Sequence, residues 1–143
     1  MRIILFKGKH IHVLPANKEL NGRWIEGYLS DENYINSPKL EGEFLIDKDT
    51  LCQYTELSAC WNAFDNEPQE QDVWEHDLLE VVYEGKKVIA EVKYENGMYI
   101  LASETFADSY IPLFEVVEIE DGCRYINAEH KGNIFDNPEL LSM

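Results

Sequence analysis

Three cysteines, four histidines and 28 carboxylates are the groups through which this chain of 143 residues could do chemistry. Covalent catalysis needs a thiol beside a base, and Cys60 or Cys123 with His76 or His130 are the pairings the sequence offers. A core cysteine and a surface histidine account for the same residues without any reaction. His10 and His12 stand two apart, so on a strand they share one face. Two imidazoles fall short of a zinc site, and no C-x-x-C supplies the other half, so partly exposed strand residues are expected there. With so many acids, some carboxylate pair will approach glycosidase-like spacing by coincidence alone. No phosphate-binding loop, dinucleotide fingerprint, nucleophile elbow or H-E-x-x-H helix occurs. The residues therefore predict no enzyme, with no catalytic, cofactor or metal position to name. Trp24, Trp61 and Trp74 could form a binding face, although strand tryptophans more often fill a core edge.

Charge is the stronger signal. The formal net charge is −16, and it is distributed unevenly. Residues 1–48 hold seven basic and seven acidic side chains, whereas residues 49–85 hold ten acids and no Lys or Arg. Such a field repels phosphates and attracts basic partners, which predicts no direct binding of nucleic acid. Solubility alone explains most acidic proteins. The sharper alternative is a surface of carboxylates that imitates nucleic acid, with Glu80 and Glu84 on one strand face. Direct binding would need a local basic groove, with Arg2, Lys7, Lys9 and Lys93 as its candidates.

The elements that must position these groups read as strands. Hydrophobic residues make up 45% and aromatics 12%, enough for a packed core. In KVIAEVKYE, Val88, Ala90, Val92 and Tyr94 alternate with Ile89, Glu91, Lys93 and Glu95, the period of a half-buried strand. Asn96-Gly97 predicts a hairpin turn with two positive φ angles, and Glu84-Gly85-Lys86 predicts the turn before it. Three antiparallel strands thus span 77–102. Ile3–Phe6, Trp24–Ser30, Glu43–Asp47, Phe114–Ile119 and Arg124–Ala128 read as further short strands between breakers such as Pro15, Ser37-Pro38 and Gly42. The pattern predicts one all-β domain over 1–143, a small barrel or sandwich of short antiparallel strands. A short helix near 50–63 is also predicted, because Leu51, Tyr54, Leu57 or Ser58 and Trp61 recur at helical spacing, and Thr50 with Gln53 has capping-box spacing. No apolar run approaches the roughly 20 residues that span a bilayer. The short apolar patch in MRIILFKGKHIHVLP lacks a long apolar signal region, and three unpaired cysteines suit a reducing compartment, so the cytoplasm of a bacterial cell is expected.

Five phrases in order, ILFKGK at 4–9, GRWIEGYL at 22–29, DKDTLCQYTEL at 47–57, WEHDLLEV at 74–81 and GNIFDNPELL at 132–141, resemble the YopX family of bacteriophage and prophage proteins. The resemblance spans nearly the whole chain. It implies an all-β fold and a phage or prophage origin, and it brings no catalytic residue. Where the family pattern has Gly after Gln-Tyr-Thr, this chain has Glu56. Where it has Glu-Gly-Asp, this chain has Glu75-His76-Asp77, and the glycine replaced there suggests a positive φ, which His tolerates better than a β-branched residue would. Residues 58–72 replace a shorter turn of the family with an acidic insertion.

The functional expectation is a non-enzymatic protein-binding module that engages a host or phage protein with a basic surface, without a membrane and with self-association left open. Its contact residues are expected in and beside the insertion: Trp61, Phe64, Asp65, Glu67, Glu70, Asp72 and Glu75. An acidic nucleic-acid mimic and a small-molecule or nucleotide-handling enzyme are the alternatives. The closing KGNIFDNPELL contains a turn signal and large apolar residues, which predicts a docked strand or clasp, with Leu140 and Leu141 sealing a sheet edge.

Overall fold

The computed structural model describes residues 4–11, 22–60, 71–120 and 122–142. The chain is all-β, and it divides into two compact units, Met1–Tyr54 and Thr55–Met143. The expectation of one domain without a linker meets a boundary that falls inside a strand, β5 (Cys52–Ala59).

In the first unit, β1 (Phe6–Lys9), β2 (Trp24–Asp31), β3 (Tyr34–Ser37) and β4 (Gly42–Leu45) pair antiparallel in sequence order, and β1 also pairs with the start of β5. Alternation along β2 and β3 turns Ile25, Gly27, Ile35 and Ser37 inward. Ile25, Ile35, Phe44 and Ile46 form the core, with Phe6 and Leu51 packed against it. So small a core depends on close backbone approach. A Cβ on Gly27 would run into the carbonyl of Asn36 on β3. One bridge, His10 to Ile46, ties the end of β1 to the residue after β4, but a single bridge is not a ladder, and among the described residues the sheet stays open. The barrel is thus corrected to open sheets. His10 is buried rather than partly exposed: its Nδ1 donates to the Leu45 carbonyl (2.9 Å), and its ring meets Phe44 edge-on. His12 lies outside the described residues.

In the second unit, β7 (Asp77–Tyr83), β8 (Lys86–Glu95) and β9 (Met98–Ala102) form the predicted meander. Its turns carry paired positive φ angles, 50° and 79° at Glu84-Gly85, then 53° and 82° at Asn96-Gly97. β10 (Tyr110–Pro112) and β13 (Glu129–Asn133) complete a five-stranded antiparallel sheet in the order β10-β9-β8-β7-β13. Opposite it, β6 (Gln71–Trp74) and β12 (Cys123–Ile126) pair with β5, and β11 (Val117–Glu120) pairs with β12. Ala59, Val73 and Ile126 from this side pack with Leu79, Val81, Val88, Ala90, Val92 and Leu101 from the other, in one core of thirteen buried residues. Each fully buried aliphatic side chain contributes about 1.5–3 kcal/mol.

Two sequence expectations are corrected. No helix occupies the described part of 50–63: only Lys48–Thr50 makes a 3-10 turn, capped by Asp47 rather than Thr50, and Cys52–Ala59 is strand. Glu56, at φ 69°, interrupts the two-residue alternation within β5. Buried Cys52, Thr55 and Ala59 therefore recur every three to four residues, which mimics a helical face. Phe114 belongs not to a strand but to a 3-10 turn (Leu113–Val116) that begins directly after Pro112 and anchors Leu113 in the core. No helix among the described residues is long and apolar enough to cross a membrane.

Candidate functional site

The meander has two faces of different chemistry. Val88, Ala90 and Val92 point into the core, as their alternation predicts, while Tyr94 stays exposed and meets Tyr99 edge-on. Lys87, Ile89, Glu91 and Lys93 line the opposite face, with Glu80 across from Ile89 and Ala102 across from Glu91. This face floors a concavity of about 650 Å³. Its walls are the residues after β9, with Glu104 and the hydroxyls of Ser103, Thr105 and Ser109, and the chain end, with Leu140 and Leu141.

The chain end reaches the groove through a rigid turn. Asn133, the last residue of β13, accepts hydrogen bonds at Oδ1 from the amides of Phe135 and Asp136 (both 2.9 Å). Its Nδ2 donates to Asp136 Oδ2 at 3.1 Å, and its carbonyl accepts from the Asn137 amide at 2.8 Å. Gly132 (φ 145°) lies against the Asn137 side chain and leaves no room for a Cβ. Pro138–Ser142 then forms a 3-10 turn. The predicted clasp is real, but β13 itself supplies the new edge strand, and Leu140 and Leu141 lie over the sheet face instead of sealing an edge.

Two histidine–carboxylate pairs fix this end of the groove. Asp77, fully buried at the start of β7, accepts at Oδ2 from the Trp74 amide (2.8 Å) and from His130 Nε2 (2.9 Å), which ties β13 to the β6–β7 turn. His76 occupies that turn at φ 73°, and its Nδ1 donates to Glu91 Oε2 at 2.8 Å. That hydrogen bond raises the imidazole pKa above its ordinary 6.5. Burial opposes the rise, and Glu75, 3.9 Å from Nε2, adds to it. Phe135 packs edge-on against the His76 ring. A histidine held this way can carry a proton, but both pairs are also structural ties between backbone segments. Among the described residues no group of three or more His, Cys, Asp or Glu side chains is placed to hold a metal ion. The thiol–imidazole pairings open in the sequence meet histidines already engaged by carboxylates, and Cys60 is buried while Cys123 is exposed.

Of the predicted contact residues, Trp61, Phe64, Asp65, Glu67 and Glu70 lie outside the described residues. Asp72 lies within the short β6 and Glu75 follows it: Asp72 is exposed and accepts from Ser58 Oγ (3.2 Å), and Glu75 is half-buried beside His76. Glu80 faces the groove, but Glu84 sits in the left-handed first position of a hairpin turn and lines a separate concavity with Tyr83 and Phe106. The shared strand face expected for these two acids is absent, because the strand ends at Tyr83. Trp74 is buried, as a core-edge tryptophan should be. Sequence reasoning missed the groove, although the alternation Lys87, Ile89, Glu91, Lys93 was its visible signal. Comparison with known protein families, with curated proteins and with solved structures finds no match to this chain.

Proposed function

We propose that this chain is a non-enzymatic protein-binding module of the phage or prophage YopX kind, acting inside the bacterial cell, and that its groove receives a basic, partly apolar segment of a host or phage protein. One observation carries the reading. The groove of about 650 Å³ lies in the unit that holds 20 of the 28 acidic residues against five basic ones, and its lip is apolar at Leu140 and Leu141. Apolar anchors supply the affinity of such contacts, while surrounding charge steers the encounter. The acidic insertion at 58–72, with Trp61 and Phe64, repeats this mixture of carboxylates and large apolar residues in the sequence. The resemblance to the family gains support from Glu56 and His76, whose φ angles of 69° and 73° suit the glycines of the family pattern.

The test is binding of a fluorescent nonapeptide of alternating Lys and Leu to the full chain at 50 mM and 300 mM salt. The reading expects binding that weakens with salt, because exposed charges are screened within about 10 Å at 0.1 M. Joint charge reversal, Glu80→Lys with Glu104→Lys, should weaken it about tenfold or more. Unchanged affinity in that variant would overturn the groove as the contact.

A second reading, an enzyme acting on a small molecule, is favoured by one feature: Glu91 both lines the groove and hydrogen-bonds His76. Turnover of any groove ligand that disappears in His76→Gln would decide for it.

A further inference from the structure

The first unit presents an outer sheet face unlike the groove. Register puts Lys9 opposite Trp24 and Lys7 opposite Glu26, so these four side chains leave β1 and β2 on the same side. The ammonium of Lys7 stands 4.6 Å from the centre of the Trp24 indole, and that of Lys9 stands 5.4 Å away. Both distances are those of cation–π contacts. Farther along the same face of β2 is Tyr28, opposite Asn36, and two residues from Asn36 on β3 is Tyr34. The two tyrosines are 45% and 40% exposed. Arg23 and Lys39 join Trp24, Glu26, Ser37 and Leu40 around a concavity of about 290 Å³. Carboxylates on this face are Glu26, which Lys39 approaches to 3.6 Å, Asp31, opposite Tyr34, and Glu43, opposite Asn36. Four cations and three aromatic rings therefore meet three acids, one of them held by Lys39, in a unit whose seven basic and eight acidic residues nearly cancel.

From this arrangement we infer that the β1–β2–β3 face binds single-stranded nucleic acid, with bases stacked on Trp24, Tyr28 and Tyr34 and phosphates held by Lys7, Lys9 and Arg23. Trp24 and Tyr28, four residues apart on one strand, are separated by about 13 Å, a spacing for non-adjacent bases of a stretched strand. Aromatic rings accept every base through its π-face, and lysines beside them track the backbone. An acidic protein segment would attract the cations but offer no flat bases to the three rings, so it is the weaker occupant. The net charge of the chain argued against nucleic acid, but exposed charges act over about one Debye length, roughly 8–10 Å. The local basic surface on which direct binding depended is met by Lys7 and Lys9. Lys93 belongs instead to the groove of the second unit, and Arg2 lies outside the described residues.

The experiment is fluorescence anisotropy of a labelled deoxythymidine dodecamer with the full chain at 50 mM salt. Variants are the double change Lys7→Gln and Lys9→Gln, and separately Trp24→Leu. Circular dichroism of each variant reports its fold, and Tyr34→Ser supplies a third ring deletion if Trp24→Leu misfolds. The inference expects binding with a log–log salt slope of about −1.4 to −2.8, the value for two to four phosphates at about −0.7 each. Each variant should lose about tenfold or more in affinity, and polyglutamate of equal charge should displace the dodecamer poorly. Absence of binding at 50 mM salt, affinity indifferent to all the variants, or equal displacement by polyglutamate would overturn it. No groove residue is altered, so this failure and a failure of the protein-binding reading are separate results.

Discussion

The two units differ most in where their charge resides. Residues 1–54 carry eight acids against seven bases, whereas residues 55–143 carry twenty against five. They also differ in how they hold together. Among the described residues, the first packs Ile25, Ile35, Phe44 and Ile46 between closely approaching strands, and the second packs the two facing sheets over thirteen buried residues and adds part-buried histidine–carboxylate ties. A net charge of −16 thus describes neither surface. Whole-chain charge is a sum, while recognition is local over about one Debye length.

Altering the packing tests the contrast with the largest effect. Gly27→Ala should destabilise the first unit by about 2–3 kcal/mol, because the obstacle is the Asn36 backbone carbonyl and cannot rotate away. Urea unfolding followed by hydrogen exchange should show the loss at the amides of β2 and β3. Equal loss throughout the second unit would mean that the units do not differ in their support.

Proton dependence should belong to the second unit. The His76 pKa is raised chiefly by its hydrogen bond to Glu91. The pair therefore contributes fully below the unfolded value near 6.5, and the contribution fades as pH rises through the higher folded value. His76 retains 27% side-chain exposure, and solvent screening holds the effect to about 1 kcal/mol or less. Urea midpoints at pH 6 and pH 8 should differ in this direction for the native chain and differ less for Glu91→Gln. An undiminished difference in that variant would remove Glu91 as the cause.

The smallest effect compares two hairpins within the second unit. Asn96-Gly97 has the turn residues that two positive φ angles favour, while Glu84-Gly85 forces Glu into the same conformation at φ 50°. Glu84→Asn should therefore stabilise by roughly 0.5–1 kcal/mol in thermal unfolding. A decrease in stability would show that Glu84 makes a contact worth more than its strain.

Much of the fold was legible where local chemistry agreed with packing. The meander from Asp77 to Ala102 follows from alternation and two glycine turns, and His76 carries the positive φ expected of it. Sequence reasoning failed where one residue broke a period. Left-handed Glu56 shifted the burial rhythm of β5 toward a helical one, and the short strands Gln71–Trp74 and Tyr110–Pro112 are too brief to show alternation. The candidate sites were less legible, because both depend on partners across strands. Lys7 and Trp24 are 17 positions apart, and Glu80 and Leu140 are 60 apart, so only pairing and chain reversal join them.

The central claim is that two surfaces of opposite chemistry serve different ligands. Amide nuclear magnetic resonance of the labelled full chain, titrated once with the Lys–Leu nonapeptide and once with the deoxythymidine dodecamer, tests it most directly. The account predicts that the peptide moves the amides of Glu80, Ile89, Glu91 and Ala102–Thr105, and that the dodecamer moves those of Lys7–Lys9 and Trp24–Tyr28. Both ligands shifting the same set of amides, or neither shifting its own, would contradict it.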